Sequence, residues 1–436
     1  MSALRQDSPQ AGQEALRRGW CPSTLKPMET GDGWLVRLHP PRARLSPEQL
    51  RRIAALAAEH GNGLIEISAR ANLQIRGVTA ESHPALVERL LAEHLVDEHE
   101  GDGPQRLTLV SPLAAGQPGA LVDAAALAEQ IERIARTIPG LPAKLCAVID
   151  DGSAQTLDGF AGDIRLVGIG AGRLALCLAD RLWHGPLSAD EAIKAIEAVL
   201  CGFARLRSAD PERIRRLRDL PSATLAELSA LPEVPAPPRR PPARRAGLFA
   251  RDADRFAAAV GLPFGRCSAA VLDALGADLG TNAADIRLSP WRGLVFRDLR
   301  RADAERLMTL AAGLGLITRD DDPRLSVQAC AGSPACSRAE APTMTDAARL
   351  AEAVADLLAR GATMHVSGCV KACAHPSAAD LTLVGRNGLY DVVPGGTTRD
   401  KPVATLDLST LLARLQPGQD IHARLAKAAR PTGPRG

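Results

Sequence analysis

Four of the chain's nine cysteines fall close together near its C-terminal end, as Cys330-x5-Cys336 and Cys369-x3-Cys373. Thiolates are soft ligands, and two pairs delivered by two separate loops can converge on one inorganic centre. Each pair follows a short run of strand character, residues 325–329 and 363–366, and sits in a segment containing Gly and Pro. Zinc sites favour two-to-four-residue spacings within a pair, so a 4Fe-4S cluster suits this spacing better. Structural zinc, or cysteines that are simply buried, are the alternatives. The other five, Cys21, Cys146, Cys177, Cys201 and Cys267, have no such company and read as core residues.

The chain as a whole must hold that centre. Its 436 residues exceed one compact core and predict two or three domains. With 24% charged and 46% hydrophobic residues it has the balance of a globular protein. A net charge of +3, with no long Lys/Arg block, gives no nucleic-acid footprint, so an anionic ligand must be met by local Arg and Lys. No apolar run reaches membrane-spanning length, and the first residues lack a signal peptide's apolar core. A cytoplasmic protein with no membrane partner is expected. Thiols stay reduced there, which favours metal or redox chemistry over disulfides.

The hydrophobic periods predict a strand over residues 34–38 and a helix opened by Ser46-Pro47 and closed by Gly61-Asn62-Gly63. Strands follow over 64–67 and 73–76, then a helix over 83–95: half of a ferredoxin-like α+β unit. Next come strands at 107–110, 145–149 and 164–168, with helices over 122–137 and 189–206. The run Pro235-Ala236-Pro237-Pro238-Arg239-Arg240-Pro241-Pro242 suits neither a helix nor a central strand and marks a domain boundary.

Beyond it the pattern recurs. Ile286-Arg287-Leu288-Ser289 and Leu294-Val295-Phe296-Arg297 match Ile65-Glu66-Ile67-Ser68 and Leu73-Gln74-Ile75-Arg76. Leu325-Ser326-Val327-Gln328 parallels Leu107-Thr108-Leu109-Val110, and residues 380–385 parallel 163–168. The expected fold is therefore α+β, a duplicated module with pseudo-two-fold related ferredoxin-like half-domains. The parcels are a lead-in over 1–30, half-domains over 31–100 and 248–320, α+β domains over 101–208 and 321–400, a Pro/Arg-rich linker over 209–247 and a tail over 401–436. Only the second copy has cysteines at its loops; where Cys330 and Cys369 stand, the first offers Pro112 and Gly152.

The cysteine pattern, with a helix after the first pair (341–358) and Met364-His365-Val366-Ser367-Gly368 before the second, resembles the nitrite/sulfite reductase superfamily. So does Ser68-Ala69-Arg70-Ala71-Asn72-Leu73-Gln74-Ile75-Arg76-Gly77-Val78, which is similar to that superfamily's sirohaem-binding strand. The resemblance implies the duplicated reductase-type module, a cluster on Cys330, Cys336, Cys369 and Cys373, and tetrapyrrole-facing residues Arg70, Asn72, Gln74 and Arg76. It also sets Arg106 and Lys144 against the macrocycle's carboxylates, which need charge-assisted bonds when buried.

The departures from the reductases are informative. Cys369-Val370-Lys371-Ala372-Cys373-Ala374-His375-Pro376 lacks the reductases' Pro and Asn inside the second pair. Ala71 replaces a Gln, and Cys146 stands where sulfite reductases have a second Lys. These features look more like the superfamily's oxygenase branch, the precorrin-3B synthases of aerobic cobalamin biosynthesis. That resemblance implies an iron–sulfur monooxygenase that hydroxylates precorrin-3A at the C20 meso carbon with O2 and closes a γ-lactone from the ring A acetate. Gly168-Ile169-Gly170-Ala171-Gly172-Arg173 lacks a dinucleotide fingerprint's last Gly, and its repeat partner Gly385-Arg386-Asn387-Gly388 looks like a hairpin turn, so electrons are expected from an external reductase using NAD(P)H. A mononuclear non-haem iron, with His375 and Asp380 as candidate ligands and His365 as a weaker one, would serve oxygen activation. The alternatives are a sirohaem-dependent nitrite or sulfite reductase and a non-catalytic, zinc-stabilised tetrapyrrole carrier.

Overall fold

The computed structural model describes residues 21–98, 103–280, 285–415 and 424. Contacts divide the chain into a larger unit, Leu35–Asp320 with Cys21–Pro27, and a smaller one, from Asp321 onward with Met28–Trp34. No helix among the described residues is long and apolar enough to cross a membrane.

The larger unit begins with the expected half-domain. The helix Pro47–His60 is capped by Ser46, whose hydroxyl accepts the Gln49 N–H at 3.1 Å while Gln49 Oε1 accepts the Ser46 N–H at 2.9 Å. It buries Leu50, Ile53, Leu56 and Ala57 on one face, and each large aliphatic side chain so enclosed contributes about 1.5–3 kcal/mol. At its end a Cβ on Gly61 would lie 2.4 Å from the Arg76 carbonyl, so only glycine lets helix and strand meet there. The sheet carries Gly33–Leu38, Leu73–Val78, Leu64–Ile67 and then Arg266–Ser268, a strand of the second half-domain. The exchange is mutual: Arg44–Leu45 pairs with Asp285–Ser289 in the sheet that also holds Gly293–Leu299, Phe256–Gly261 and Gly247–Ala250. The helices Pro47–His60 and Ala269–Leu279 pack together, close enough that a Cβ on Gly276 would meet Arg51 Cγ at 2.5 Å.

The third sheet of this unit runs Leu182–Leu187, Arg173–Leu178, Ile164–Gly170, Ala147–Asp150, Thr108–Val110, with the last three strands parallel. Gly168–Arg173 is the turn of a hairpin, as its composition suggested. In the smaller unit Val327–Ala329, Met364–Ser367 and Ala379–Arg386 are parallel, followed antiparallel by Leu389–Gly396 and Ala404–Leu406. The two orders are the same, which supports duplication independently of residue identity. The ladder register also corrects the sequence alignment by one residue. Thr108 pairs with Ala147 and Val327 with Met364, so Ser111, not Pro112, is the counterpart of Cys330, while Gly152 remains that of Cys369.

The stretch 209–247 expected as a linker is packed instead. Leu217, Leu220 and Leu225 belong to the core of the third sheet, and residues Ser222–Ser229 are helical. Arg216 reaches Asp163 at 2.7 Å, and Arg240 reaches both Asp150 and Asp158 at 2.7 Å. Fully enclosed carboxylates need cations, and this segment brings them; the contact units part at Asp320 and Asp321 instead. Cys201 also departs from expectation: it is exposed, because the helix Ala189–Ala209 buries its other face. Arg240→Ala leaves Asp150, whose side chain is 0% exposed, without its guanidinium. Urea titration is expected to show a loss of about 3 kcal/mol, partly recovered by adding Asp150→Asn.

Candidate active site

In the smaller unit the two cysteine loops leave the C-terminal ends of neighbouring parallel strands, Val327–Ala329 and Met364–Ser367. Adjacent strand ends bring the loops side by side: the Gly368 N–H donates to Cys330 Sγ at 3.1 Å, and the Cys330 N–H to the Val366 carbonyl at 3.3 Å. Thr343 Oγ1 donates to the Cys330 carbonyl at 2.7 Å and lies 3.6 Å from its sulfur. Cys336 is set by its N–H on the Gly332 carbonyl at 2.8 Å. Burial raises the Cys369 thiol; the Lys371 N–H opposes that, and the nearby Cys330 and Cys336 sulfurs add to it. Cys373 is exposed, one residue past Ala372 at φ 52°.

Among the described residues no three His, Cys, Asp or Glu side chains gather as the ligands of one metal ion. A cube spreads its four thiolates over four irons, so its ligands stand further apart than those of a single zinc. An N–H donated to the Cys330 sulfur and two loops at adjacent strand ends fit such a cluster, with Cys330, Cys336, Cys369 and Cys373 as the residues that would hold it.

The larger unit holds the cations. Gln74 and Arg266 both lie opposite Glu66 in the ladders, and Arg76 is two residues further along. Glu66 accepts from Arg266 at 2.5 Å, Gln74 Nε2 at 3.1 Å and Arg76 at 3.4 Å. Gln74 Oε1 in turn accepts from Arg37 at 2.8 and 3.0 Å. Arg70 donates to the carbonyls of Lys144 and Leu145 at 3.2 Å, and Arg106 to that of Pro40 at 2.8 Å. Arg37, Arg70 and Arg106 thus give their hydrogen bonds to neutral acceptors, and among the described residues none makes an ion pair. Burial pushes the Arg37 and Arg106 guanidiniums below their ordinary range, as expected of cations without a close counter-charge.

A cleft of about 420 Å³ is lined by His39, Arg42, Arg70, Arg106, Arg136 and Arg287, among others, within the size range of small-molecule sites. Its carboxylates are committed: Asp97 to Arg136 at 2.5 Å, Glu129 to Arg42 at 3.7 Å, and Glu132 to Thr108 at 2.7 Å. Arg70, Arg106 and the exposed Arg133 are cations of this wall that make no ion pair among the described residues. Asn72, Gln74, Arg76 and Lys144 do not line it. Asn72 is buried with Oδ1 lacking a hydrogen-bond partner, and Gln74 and Arg76 belong to the Glu66 cluster.

His375 and Asp380 are not gathered into a three-ligand set. Asp380 Oδ2 accepts the Thr363 N–H at 2.8 Å and its hydroxyl at 2.7 Å. The repeat counterpart Asp163 accepts the Cys146 N–H at 3.0 Å in the same way, so this carboxylate latches a strand entry in both copies. The His375 ring meets His365 edge-on at 5.6 Å, and Nε2 is 3.4 Å from the Ala378 carbonyl. Sequence reasoning missed Arg37, His39 and Arg266. Arg37 carried a signal, as the one charged residue inside an apolar strand; Arg266 needed the strand exchange.

The paired ferredoxin-like sheets with their α+β partners define a reductase-type fold. Residues 26–93 match the nitrite/sulfite reductase ferredoxin-like half domain. The solved structure of Mycobacterium tuberculosis NirA protein resembles this one with a TM-score of 0.68 at 22% identity, covering 91% of this chain and 84% of that chain. A ferredoxin sulfite reductase of Mycobacterium tuberculosis is 27% identical over 81% of this chain and 70% of its own. A precorrin-3B synthase of Sinorhizobium sp is 34% identical over 92% of this chain and 88% of its own. The chain belongs to the precorrin-3B synthase family, within the nitrite/sulfite reductase superfamily.

The first cysteine loop turns at Gly332, φ +69°, where a Cβ would lie 2.4 Å from Thr343 Oγ1 and 2.6 Å from its nitrogen. Gly332→Ala adds about 1–3 kcal/mol of backbone strain to that overlap and displaces the loop between Cys330 and Cys336. Iron and acid-labile sulfide per chain, assayed after anaerobic reconstitution, are expected to fall well below the parent's while far-UV circular dichroism is unchanged.

Proposed function

We propose that this chain is an oxygen-dependent precorrin-3B synthase: it converts precorrin-3A to precorrin-3B by hydroxylating the C20 meso carbon and closing a γ-lactone from the ring A acetate. The observation that carries this reading is the 34% identity to the Sinorhizobium synthase across 92% of the chain. A cationic cleft in the larger unit supports a polycarboxylate substrate. One oxygen atom of O2 enters the substrate as the C20 hydroxyl; the other leaves as water, taking two protons and two electrons. The acetate O–H then adds across a double bond at its ring carbon, the oxygen bonding to that carbon and the proton passing to the macrocycle, so the net gain is one oxygen.

Arg70 and Arg106 bind the macrocycle's carboxylates, and Arg37 adds positive field behind them. Because their present hydrogen bonds go to carbonyls and a carboxamide, a carboxylate arriving there is not competing with one already in place. Anchoring several carboxylates at once fixes the ring in its plane, so that one meso carbon is presented repeatedly to the reacting oxygen. A 4Fe-4S cluster on Cys330, Cys336, Cys369 and Cys373 would supply electrons singly from an external NAD(P)H-dependent reductase. An external donor is supported by the glycine run at 168–173, which forms a hairpin turn and not a dinucleotide cradle.

Anaerobic purification followed by precorrin-3A, a reductant and O2 is expected to give a product heavier by one oxygen atom. Cys369→Ala is expected to lose both the broad brown cluster absorption and turnover; retention of both refutes the assignment. A Soret band with a red chlorin-type band, and sulfite or nitrite reduction, would instead indicate a sirohaem reductase. Zinc without iron or labile sulfide would indicate a carrier.

A further inference from the structure

The strand Gly33–Leu38 runs out into His39, a residue of the cleft wall that also carries Arg70 and Arg106. The backbone is clamped on both sides there. The His39 carbonyl accepts the Asp97 N–H at 2.8 Å, and the next carbonyl, that of Pro40, accepts Arg106 at 2.8 Å. Ring Nδ1 lies 2.8 Å from Glu98 Oε1, and Thr24 Oγ1 donates to the same oxygen at 2.9 Å. The Glu98 side chain is 0% exposed, and its Oε2 has no hydrogen-bond partner among the described residues. A carboxylate so enclosed on Nδ1 makes that nitrogen the donor and leaves Nε2 as the lone-pair nitrogen of the neutral ring.

The charges around the ring oppose one another. Burial, the largest effect, holds His39 below its ordinary value; Glu98 pulls it up, and Arg106 and Arg37 push it further down. Of the other charged groups on this wall, Asp97 pairs with Arg136, Glu129 with Arg42 and Arg287 with Asp285; Glu132 accepts from Thr108 and opposes the Arg106 charge, and Arg133 is exposed. A ligand carboxylate settling against Arg106 would offset the guanidinium field and add a negative charge beside the imidazole. Both changes favour the protonated ring.

We propose that His39, oriented by Glu98, is a further carboxylate contact of this cleft and takes up a proton when a polycarboxylate tetrapyrrole binds there. The inference rests on the reading of the cleft as a tetrapyrrole carboxylate site. The linkage has a definite sign. The complex binds the proton more tightly than the free protein does, so affinity for the polyanion weakens as pH rises through the window between the free and bound values of His39.

Uroporphyrin III, an octacarboxylate porphyrin, is a suitable probe that requires no turnover. Calorimetric titration into the full chain near pH 7, in two buffers of different ionisation enthalpy, is expected to show uptake approaching one proton per porphyrin. His39→Gln is expected to remove that uptake and flatten the pH dependence, with affinity reduced by about tenfold, the worth of one charge-assisted hydrogen bond. Glu98→Gln, which keeps a partner on Nδ1 but removes its charge, is expected to diminish the uptake as well, and it decides the matter should His39→Gln fail to fold. Proton uptake equal in the parent and the variants overturns the role of His39 while leaving the cleft intact. No binding of porphyrin by the parent overturns the cleft reading and this inference with it.

Discussion

The larger unit depends on one reciprocal exchange: Arg266–Ser268 completes the sheet of the first half-domain, and Arg44–Leu45 completes that of the second. A ferredoxin-like sheet with an open edge is a liability, and each half closes the other's. The exchange also distributes charge. Arg266 lands opposite Glu66, whereas Arg44 lands opposite Arg287, and there Asp285 supplies the counter-charge to Arg287 at 2.7 Å and to Arg44 at 3.1 Å. The two halves therefore solve the same electrostatic problem with different residues, a carboxylate on the ladder in one and a carboxylate two residues back in the other.

The exchange strand also brings Arg287 and Leu288 to the cleft wall. Arg76 and Arg297 are repeat counterparts and both are buried, but their company differs. Arg76 reaches Glu66 at 3.4 Å; Arg297 lies 3.6 Å from Asp285, donates to the carbonyls of Ala114 and Ala115 at 2.8 Å, and is pushed down to about 10 by burial and by Arg251 and Arg287. A guanidinium bonded to carbonyls satisfies its donors without cancelling its charge, so positive potential accumulates where Arg37, Arg70 and Arg106 do this. The arrangement costs desolvation energy. That cost is hard to explain by stability and easy to explain by an anionic ligand.

Much of this was legible from residue patterns. The Ser46 cap, the strands at 64–67 and 73–78, the glycine-run hairpin and the duplication all follow from local periods and turn chemistry, which act over a few residues. What local patterns could not show was long-range pairing. The linker's Pro and Arg content looked like a tether because Asp150 and Asp163, the buried carboxylates that recruit Arg240 and Arg216, lie ninety and fifty-three residues away. Asp380 looked like a ligand because a lone carboxylate after a histidine suggests one; only the ladder reveals its bond to Thr363 and the matching bond of Asp163 to Cys146. Arg70 and Arg106 were visible as types, but the carbonyl partners that leave their charge uncancelled were not.

Duplication explains why one chain carries two kinds of chemistry at topologically equivalent places. In each copy a loop leaves the middle of three parallel strands, at Asp151-Gly152 in the first and Gly368-Cys369 in the second. In the first copy the last strand residue, Asp150, uses its carboxylate on Arg240 and on the N–H groups of Gly152 and Leu157, which locks the loop to the packed segment beyond it. In the second copy the equivalent residue is Ser367, whose hydroxyl donates to the Cys369 carbonyl at 2.8 Å. A short hydroxyl bonded to its own loop holds the turn without bringing a carboxylate toward the sulfurs, where its negative charge would oppose thiolate ligands and any cluster they hold. The Asp-to-Ser difference at that position is therefore one feature that distinguishes the two loops. The first copy also lacks the four cysteines: Ser111 and Gly152 stand where the second has Cys330 and Cys369, and Gly152 takes a left-handed φ of 81° that Cys369 does not share.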